Sequence, residues 1–129
     1  MNTSENMKAR LLEYIEAFNA DDAQRVVALF ADEASIEDPV GTPVKQGKSE
    51  IAQFYGYATS LGARLELVAP PRGSHGSSAT ISFRVHTVME GQPAHIDVTD
   101  VMDFDAAGKI VRMRAYWGRD DYHVAGGAA

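Results

Sequence analysis

The residue of greatest chemical interest is an aspartate that falls on the apolar face of a strand. In Ile96-Asp97-Val98-Thr99-Asp100-Val101-Met102-Asp103-Phe104 a period of two places Ile96, Val98, Met102 and Phe104 on one face, and Asp100 with them. Asp97, Thr99 and Asp103 fall on the other face, with Val101. Strand side chains alternate between faces, so the Asp100 carboxyl is expected to point where the core points. An ionised carboxylate there is costly unless it is paired or hydrogen-bonded. Keeping the proton costs less, because desolvation raises a carboxyl pKa, by up to about 3–5 units when burial is complete. A neutral carboxylic acid in an apolar site is a hydrogen-bond donor, which suits an enzyme that must hold an oxyanion.

Two more polar groups are attached to apolar faces. Tyr14 lies on a helical stripe with Leu11, Ile15 and Phe18, and Asp38 shares the strand phase of Ile36. A buried tyrosine hydroxyl wants a partner. A carboxyl at the exposed mouth of an apolar pocket can stay ionised and act as a base while a deeper one keeps its proton. Each residue taken alone also has a plainer reading. Tyr14 can be core packing, and Asp38 before Pro39 can be a turn former. Asp100 can be a structural carboxylate that accepts backbone N–H groups or pairs with an inward arginine. Phe83 and Trp117 read singly as core, and Tyr55 as packing or as a second hydrogen-bonding member beside Tyr14.

These residues need elements to position them. Met7, Leu11, Tyr14, Ile15 and Phe18 recur at spacings of three and four, which predicts an amphipathic helix over about residues 4–20. Asp21 and Gln24 suggest a capping box for a second helix carrying Val26, Val27, Leu29 and Phe30. Residues 34–38 read as a short strand stopped by Pro39, with Gly41-Thr42-Pro43 as loop. Ser49 is a candidate cap for a third helix presenting Ile51, Phe54, Tyr55 and Ala58.

The second half is strand-like: Arg64 to Val68, an alternating segment through Ala79, Ile81, Phe83 and Val85, the Asp100 strand, and Ile110 to Trp117. Short turns between them predict an antiparallel meander, and helices followed by strands predict an α+β class. The Gly/Ala-rich tail from His123 to Ala129 is expected to fray.

Composition narrows the partners. With 129 residues and no internal repeat or linker, a single domain over 1–129 is expected, and it can bury roughly two-thirds of its unfolded surface without a metal or disulfide. There is no cysteine, hence no thiolate nucleophile and no Cys-ligated zinc site. A formal charge of −6 argues against nucleic acid and anionic membranes. No apolar run approaches the ~20 residues of a membrane span, and the polar start lacks the order of a secretory signal, so a soluble, cytoplasmic protein is expected. His75, His86, His95 and His123 show no metal-ligand spacing. There is no G-x-S-x-G elbow or phosphate loop. Asp21-Asp22 and Asp120-Asp121 read as solvated termini or caps.

One long stretch, Leu29-Phe30-Ala31-Asp32-Glu33-Ala34-Ser35-Ile36-Glu37-Asp38-Pro39-Val40-Gly41, closely resembles a segment of the bacterial ketosteroid isomerases. The similarity continues through Ile51–Tyr55, Gly91-Gln92-Pro93, Asp97–Met102 and Met113–Trp117, leaving only residues 58–78 and the tail loose. The resemblance implies a conical α+β fold, three helices on a strongly curved, mostly antiparallel mixed sheet with the pocket between. It also implies a homodimer, no cofactor, and a hydrophobic steroid as substrate. By matched position Asp38 corresponds to the general base, Tyr14 to the oxyanion-hole tyrosine and Asp100 to the protonated oxyanion-hole aspartate. Tyr55 matches a tyrosine that hydrogen-bonds the catalytic one, and Phe54, Phe83, Met113 and Trp117 match apolar pocket positions. Phe30 departs from members that carry a further tyrosine there, so Tyr14 is expected to have fewer tyrosines behind it.

The implied reaction is isomerisation of 3-oxo-5-ene steroids to 3-oxo-4-ene steroids through a dienolate. Two other readings fit the same residues: a polyketide-cyclase-like or dehydratase-like enzyme on the same fold, and a non-catalytic module that binds a hydrophobic ligand.

Overall fold

The apolar stripe of the N-terminal segment is realised as helix α1, Ser4–Asn19, whose Met7, Leu11, Tyr14 and Phe18 are all buried. Thr3 caps it by accepting a hydrogen bond from the Asn6 N–H. In this computed structural model, which describes residues 2–125, two more α-helices follow, α2 at Ala23–Val27 and α3 at Lys48–Ser60. The strands are β1 Phe30–Glu37, β2 Lys45–Gln46, β3 Arg64–Leu67, β4 Ser78–Met89, β5 Gln92–Phe104, β6 Ile110–Tyr116 and β7 Tyr122–Val124.

They form one mixed, open sheet in the order β2-β1-β6-β5-β4-β3, with β7 pairing the start of β5. Among the described residues only β1 and β6 run parallel. The α+β class is as the element order predicts. Helix α1 packs on β3 and β4, and α3 on β1 and α2.

The strand alternation holds in detail. Along β5, Ala94, Val98, Asp100, Met102 and Phe104 are buried, and the residues between are half-buried. Along β4, Ala79, Ile81 and Phe83 are buried in the same phase. The two long strands pair without interruption from Ser78↔Asp103 to Met89↔Gln92. Their inner residues therefore stack row against row: Ile81 beside Asp100, Phe83 beside Val98, Val85 beside Ile96. Directly opposed residues in such a ladder share a face.

Several expected boundaries move. Helix α2 is capped by Asp22, which accepts from the Arg25 N–H, rather than by Asp21. Asp21 sits at φ 57 and binds Arg64 instead. Leu29 and Phe30 are not helical, because the Leu29 carbonyl accepts from the Ile110 N–H and Phe30 pairs with Ile110. A short apolar run fits helix and strand alike, and here pairing with β6 decides. The first strand is accordingly longer than residues 34–38 and ends before Asp38.

Helix α3 starts after Gly47 at φ 89, with no side-chain cap from Ser49. Gly47 donates its N–H to the Ala34 carbonyl, so the unanticipated β2 tethers the start of this helix to β1. His123 and Val124 are not frayed; they belong to β7. The remainder of the tail, 126–129, lies outside the described residues. Among the described residues no helix is long and apolar enough to cross a membrane.

Candidate active site

Between the helices and the inner face of the sheet lies a cavity of about 360 Å³. Tyr14, Asp38, Phe54, Tyr55, Phe83, Asp100 and Trp117 all line it. Residues from α1, α3, β4, β5 and the two loops flanking β1 and β6 thus converge on one space.

Met113 is the exception. It was expected on the pocket wall but is a fully buried core residue that does not line the cavity. The register gives the reason. Asp100 pairs with Ala115, whereas Met113 pairs with Met102 and Ile36, one step deeper. A small alanine therefore flanks the carboxyl.

Asp100 is 1% exposed, and neither carboxylate oxygen has a hydrogen-bond partner among the described residues. Burial pushes its pKa well above the ordinary carboxyl range, and the negative charge of Asp38 adds to the effect. An ionised group would forfeit its hydration for nothing in return. The structural reading of Asp100, as an acceptor of backbone N–H groups or a partner of an inward arginine, has no contact to support it. A protonated carboxyl keeps one O–H donor for whatever enters the cavity.

Tyr14 and Tyr55 are both buried, with their hydroxyl oxygens 2.8 Å apart and their rings edge-to-face. Burial raises the pKa of each well above the tyrosine range, so both keep their protons at neutral pH. Phe30 packs on the Tyr55 ring at 5.7 Å and contributes no hydroxyl, so Tyr55 has no phenol behind it at that position.

Asp38 differs in depth. It is half-buried, just past the end of β1. The Trp117 indole Nε1–H donates to its Oδ1 at 3.0 Å. Burial raises the Asp38 pKa, while the Trp117 hydrogen bond and the positive charge of Lys45 lower it. Lys45 stands over the Phe54 ring at 5.4 Å. The upward push is opposed at Asp38 and reinforced at Asp100, which separates the two carboxyls chemically.

Some contributors were not recognised in the sequence. Lys45 lies in a two-residue strand that no periodicity reveals. Trp117 lines the cavity as its match to an apolar pocket position implies, and in addition its indole N–H holds Asp38. Val85 and Ile96 lie in the apolar phases of their strands and could have been read from them. Tyr122 lines the cavity because β7 pairs with Ile96; a strand of three residues leaves no periodic signal.

Outside the cavity, His95, Asp97 and His123 bring ligand atoms within 4.8 Å of one another. Spacing along the chain did not suggest this cluster; the His95↔His123 pairing makes it. Arg84 holds Asp97 at 2.8 Å and places its own positive charge there, which opposes a cation.

A family model described as the SnoaL-like domain matches residues 11–113 of this chain. A curated steroid Delta-isomerase from Nocardioides simplex is 37% identical over 121 residues, covering 94% of this chain and 97% of that protein. The epoxide hydrolase LasB of Streptomyces lasalocidi is 31% identical over 114 residues, covering 85% of this chain and 40% of that protein. Among solved structures, SalBIII, described as an epoxide hydrolase/cyclase-like enzyme in pyran ring formation of the polyether salinomycin, matches with a TM-score of 0.83. It is 27% identical, and the match covers 93% of this chain and 96% of that one.

Proposed function

Because the chain belongs to the SnoaL-like family and is a homologue of a steroid Delta-isomerase, we propose that it is a cofactor-independent steroid isomerase converting 3-oxo-5-ene to 3-oxo-4-ene steroids. The observation that carries this reading is the pair of unlike carboxyls on one apolar cavity: Asp100, buried, unpaired and pushed toward neutrality, and Asp38, half-buried and held by an indole N–H.

Asp38 removes a proton from the carbon between ketone and alkene. The electron pair moves into the ring system and charge accumulates on the ketone oxygen, giving a dienolate. Tyr14 and neutral Asp100 donate hydrogen bonds to that oxygen, while Tyr55 donates to Tyr14 and leaves the Tyr14 proton free for the cavity. Asp38 then returns its proton to the far carbon of the former alkene on the same face, so no proton is gained or lost. A positioned base contributes roughly 10²–10⁴-fold. Preorganised donors act where water is excluded, so they gain strength at the moment charge develops. Asp38, Tyr14 and Asp100 are the catalytic residues in this scheme. Phe54, Tyr55, Phe83 and Trp117 bound the substrate space, and the family reading extends to a homodimer.

A second reading rests on LasB and SalBIII. A neutral acid and a base on one apolar wall also suit epoxide opening, with the acid protonating the epoxide oxygen and the base activating the attacking hydroxyl. The isomerase reading is favoured by the higher identity of the steroid Delta-isomerase, 37% against 31% for LasB and 27% for SalBIII.

The deciding experiment follows the ultraviolet absorbance of a conjugated enone after protein is added to a 3-oxo-5-ene steroid. Growth of that band is expected, and Asp38→Asn should reduce its rate by about 10²–10⁴-fold while a phenolic steroid still binds. No growth with the wild-type protein, together with turnover of an epoxy-alcohol, would replace the isomerase reading by the epoxide one.

A further inference from the structure

Two buried polar groups of the cavity-lining residues have no hydrogen-bond partner among the described residues: the Asp100 carboxyl and the Tyr122 hydroxyl. Tyr14 is engaged with Tyr55, and Asp38 with Trp117. The reaction uses Asp100. It does not use Tyr122.

The sheet register places Tyr122 in relation to the reaction centre. Tyr122 pairs with Ile96, which pairs with Val85 on its other side. Val85 and Ile96 line the cavity, and so does Tyr122. Asp100 is four residues farther along β5, in a row with Ile81 and Ala115. Four residues of strand span at most about 13 Å, the length scale of a fused four-ring skeleton. The intervening row is Phe83 beside Val98, entirely apolar, and both line the cavity. The Tyr122 end lies toward the rim, where Tyr57, Leu61 and Met89 line the cavity and are 69%, 56% and 45% exposed. Between these ends the row is apolar, with the unpartnered Asp100 carboxyl toward one end and the unpartnered Tyr122 hydroxyl, with Thr87, toward the other.

We propose that Tyr122 is a distal recognition residue whose hydroxyl hydrogen-bonds an oxygen on the D-ring end of a steroid seated with its ketone at Tyr14 and Asp100. The cavity thereby selects steroids oxygenated at both ends over those that end in hydrocarbon. This inference rests on the isomerase reading and names the substrate class within it. An unpartnered buried hydroxyl is costly to leave so, and a ligand oxygen relieves that cost only if it reaches the far end. A tyrosine that merely packs would use its ring and gain nothing from the hydroxyl.

The test compares two 3-oxo-5-ene steroids identical except for a ketone on the D ring, and two phenolic steroids differing in the same way. Turnover is measured on the first pair and affinity on the second, with wild-type protein and Tyr122→Phe. A single neutral hydrogen bond predicts a wild-type preference for the oxygenated member of about three- to tenfold, expressed in KM more than kcat. Tyr122→Phe should collapse that ratio in both assays, and its Tm should hold or rise, since it removes an unpartnered buried hydroxyl.

The same preference in Tyr122→Phe as in wild type, no preference in wild type, or a marked fall in Tm would overturn the assignment. If wild-type protein isomerised neither steroid, the isomerase reading would fail, and the phenol pair would still decide Tyr122 by the same ratio. Binding of neither phenol would overturn both.

Discussion

Asp97 and Asp100 are the same residue type three positions apart on one strand, and they live in opposite chemistries. Asp97 faces outward, with its side chain 42% exposed and Arg84 at 2.8 Å, and the arginine holds its pKa below the usual carboxyl range. Asp100 faces inward, is 1% exposed, has no hydrogen-bond partner among the described residues, and is driven the other way by burial. The cross-strand neighbours account for the difference: Asp97 pairs with Arg84, and Asp100 lies between Ile81 and Ala115. An odd separation along a strand reverses the face, so three residues are enough to move a carboxyl from an arginine partner on the outer face to the apolar inner face. The outer face uses charge with water at hand. At Asp100 the inner face offers neither exposure nor counter-charge, and burial there favours the protonated carboxyl.

The comparison can be broken most directly by activity. Asp100→Leu should lower kcat on a 3-oxo-5-ene steroid by about 10²–10³-fold, the usual loss for one oxyanion donor, with a smaller effect on binding. Asp97→Asn should stay within about twofold, because it removes a surface pair. Similar losses in both variants would mean that the inner face is not chemically special. If Asp100→Leu altered folding alone and left kcat in place, Asp100 would be structural.

Stability against pH sharpens the contrast through its sign. Burial raises the Asp100 pKa in the folded chain, so it holds its proton to higher pH there than in the unfolded chain, where it ionises above about pH 4. Its contribution to stability is thus complete below that pH and is lost as pH rises toward the raised folded value, at up to about 1.4 kcal/mol per pH unit. Asp100→Asn escapes this loss, so it should gain on wild type as pH goes from about 4 to 7, read from urea midpoints. Asp97 has the opposite sign. Its depressed pKa stabilises above the ordinary carboxyl range and fails on acidification, so Asp97→Asn should be weaker than wild type near pH 7 by no more than about 1 kcal/mol, with the gap closing in acid. Two variants with the same slope would contradict the assignment of faces.

The smallest effect concerns Asp38, the proposed base. The Trp117 N–H stabilises the ionised form of Asp38, so Trp117→Phe should let the Asp38 pKa rise. The acid limb of the kcat/KM profile should then move to higher pH, because the base stays protonated further up the scale. An unmoved limb would mean that the indole only packs.

Much of this was legible without coordinates. The stripe through Met7, Leu11, Tyr14 and Phe18 and the alternation through Val98, Asp100 and Met102 are properties of one helix and one strand. The local geometry of each element sets which side chains share a face. Asp38 stands out in the sequence by sharing the phase of Ile36, although β1 ends at Glu37 and leaves it just past the strand; its match to a general base comes from the resemblance to a known family. Helix α2 stops at Val27, short of Leu29 and Phe30, because those residues fit either period and pairing with β6 makes Phe30 the start of β1.

By itself the sequence determined that Tyr14 and Asp100 turn inward with apolar neighbours, because periods of 3.6 and 2 follow from the backbone alone. Only the tertiary structure decided that Met113 lies one row too deep, that the Trp117 indole reaches Asp38, and that Tyr122 meets the cavity through β7. Those facts depend on the register between strands distant in sequence, and register is set by packing and pairing across the whole sheet rather than by any repeat within one segment.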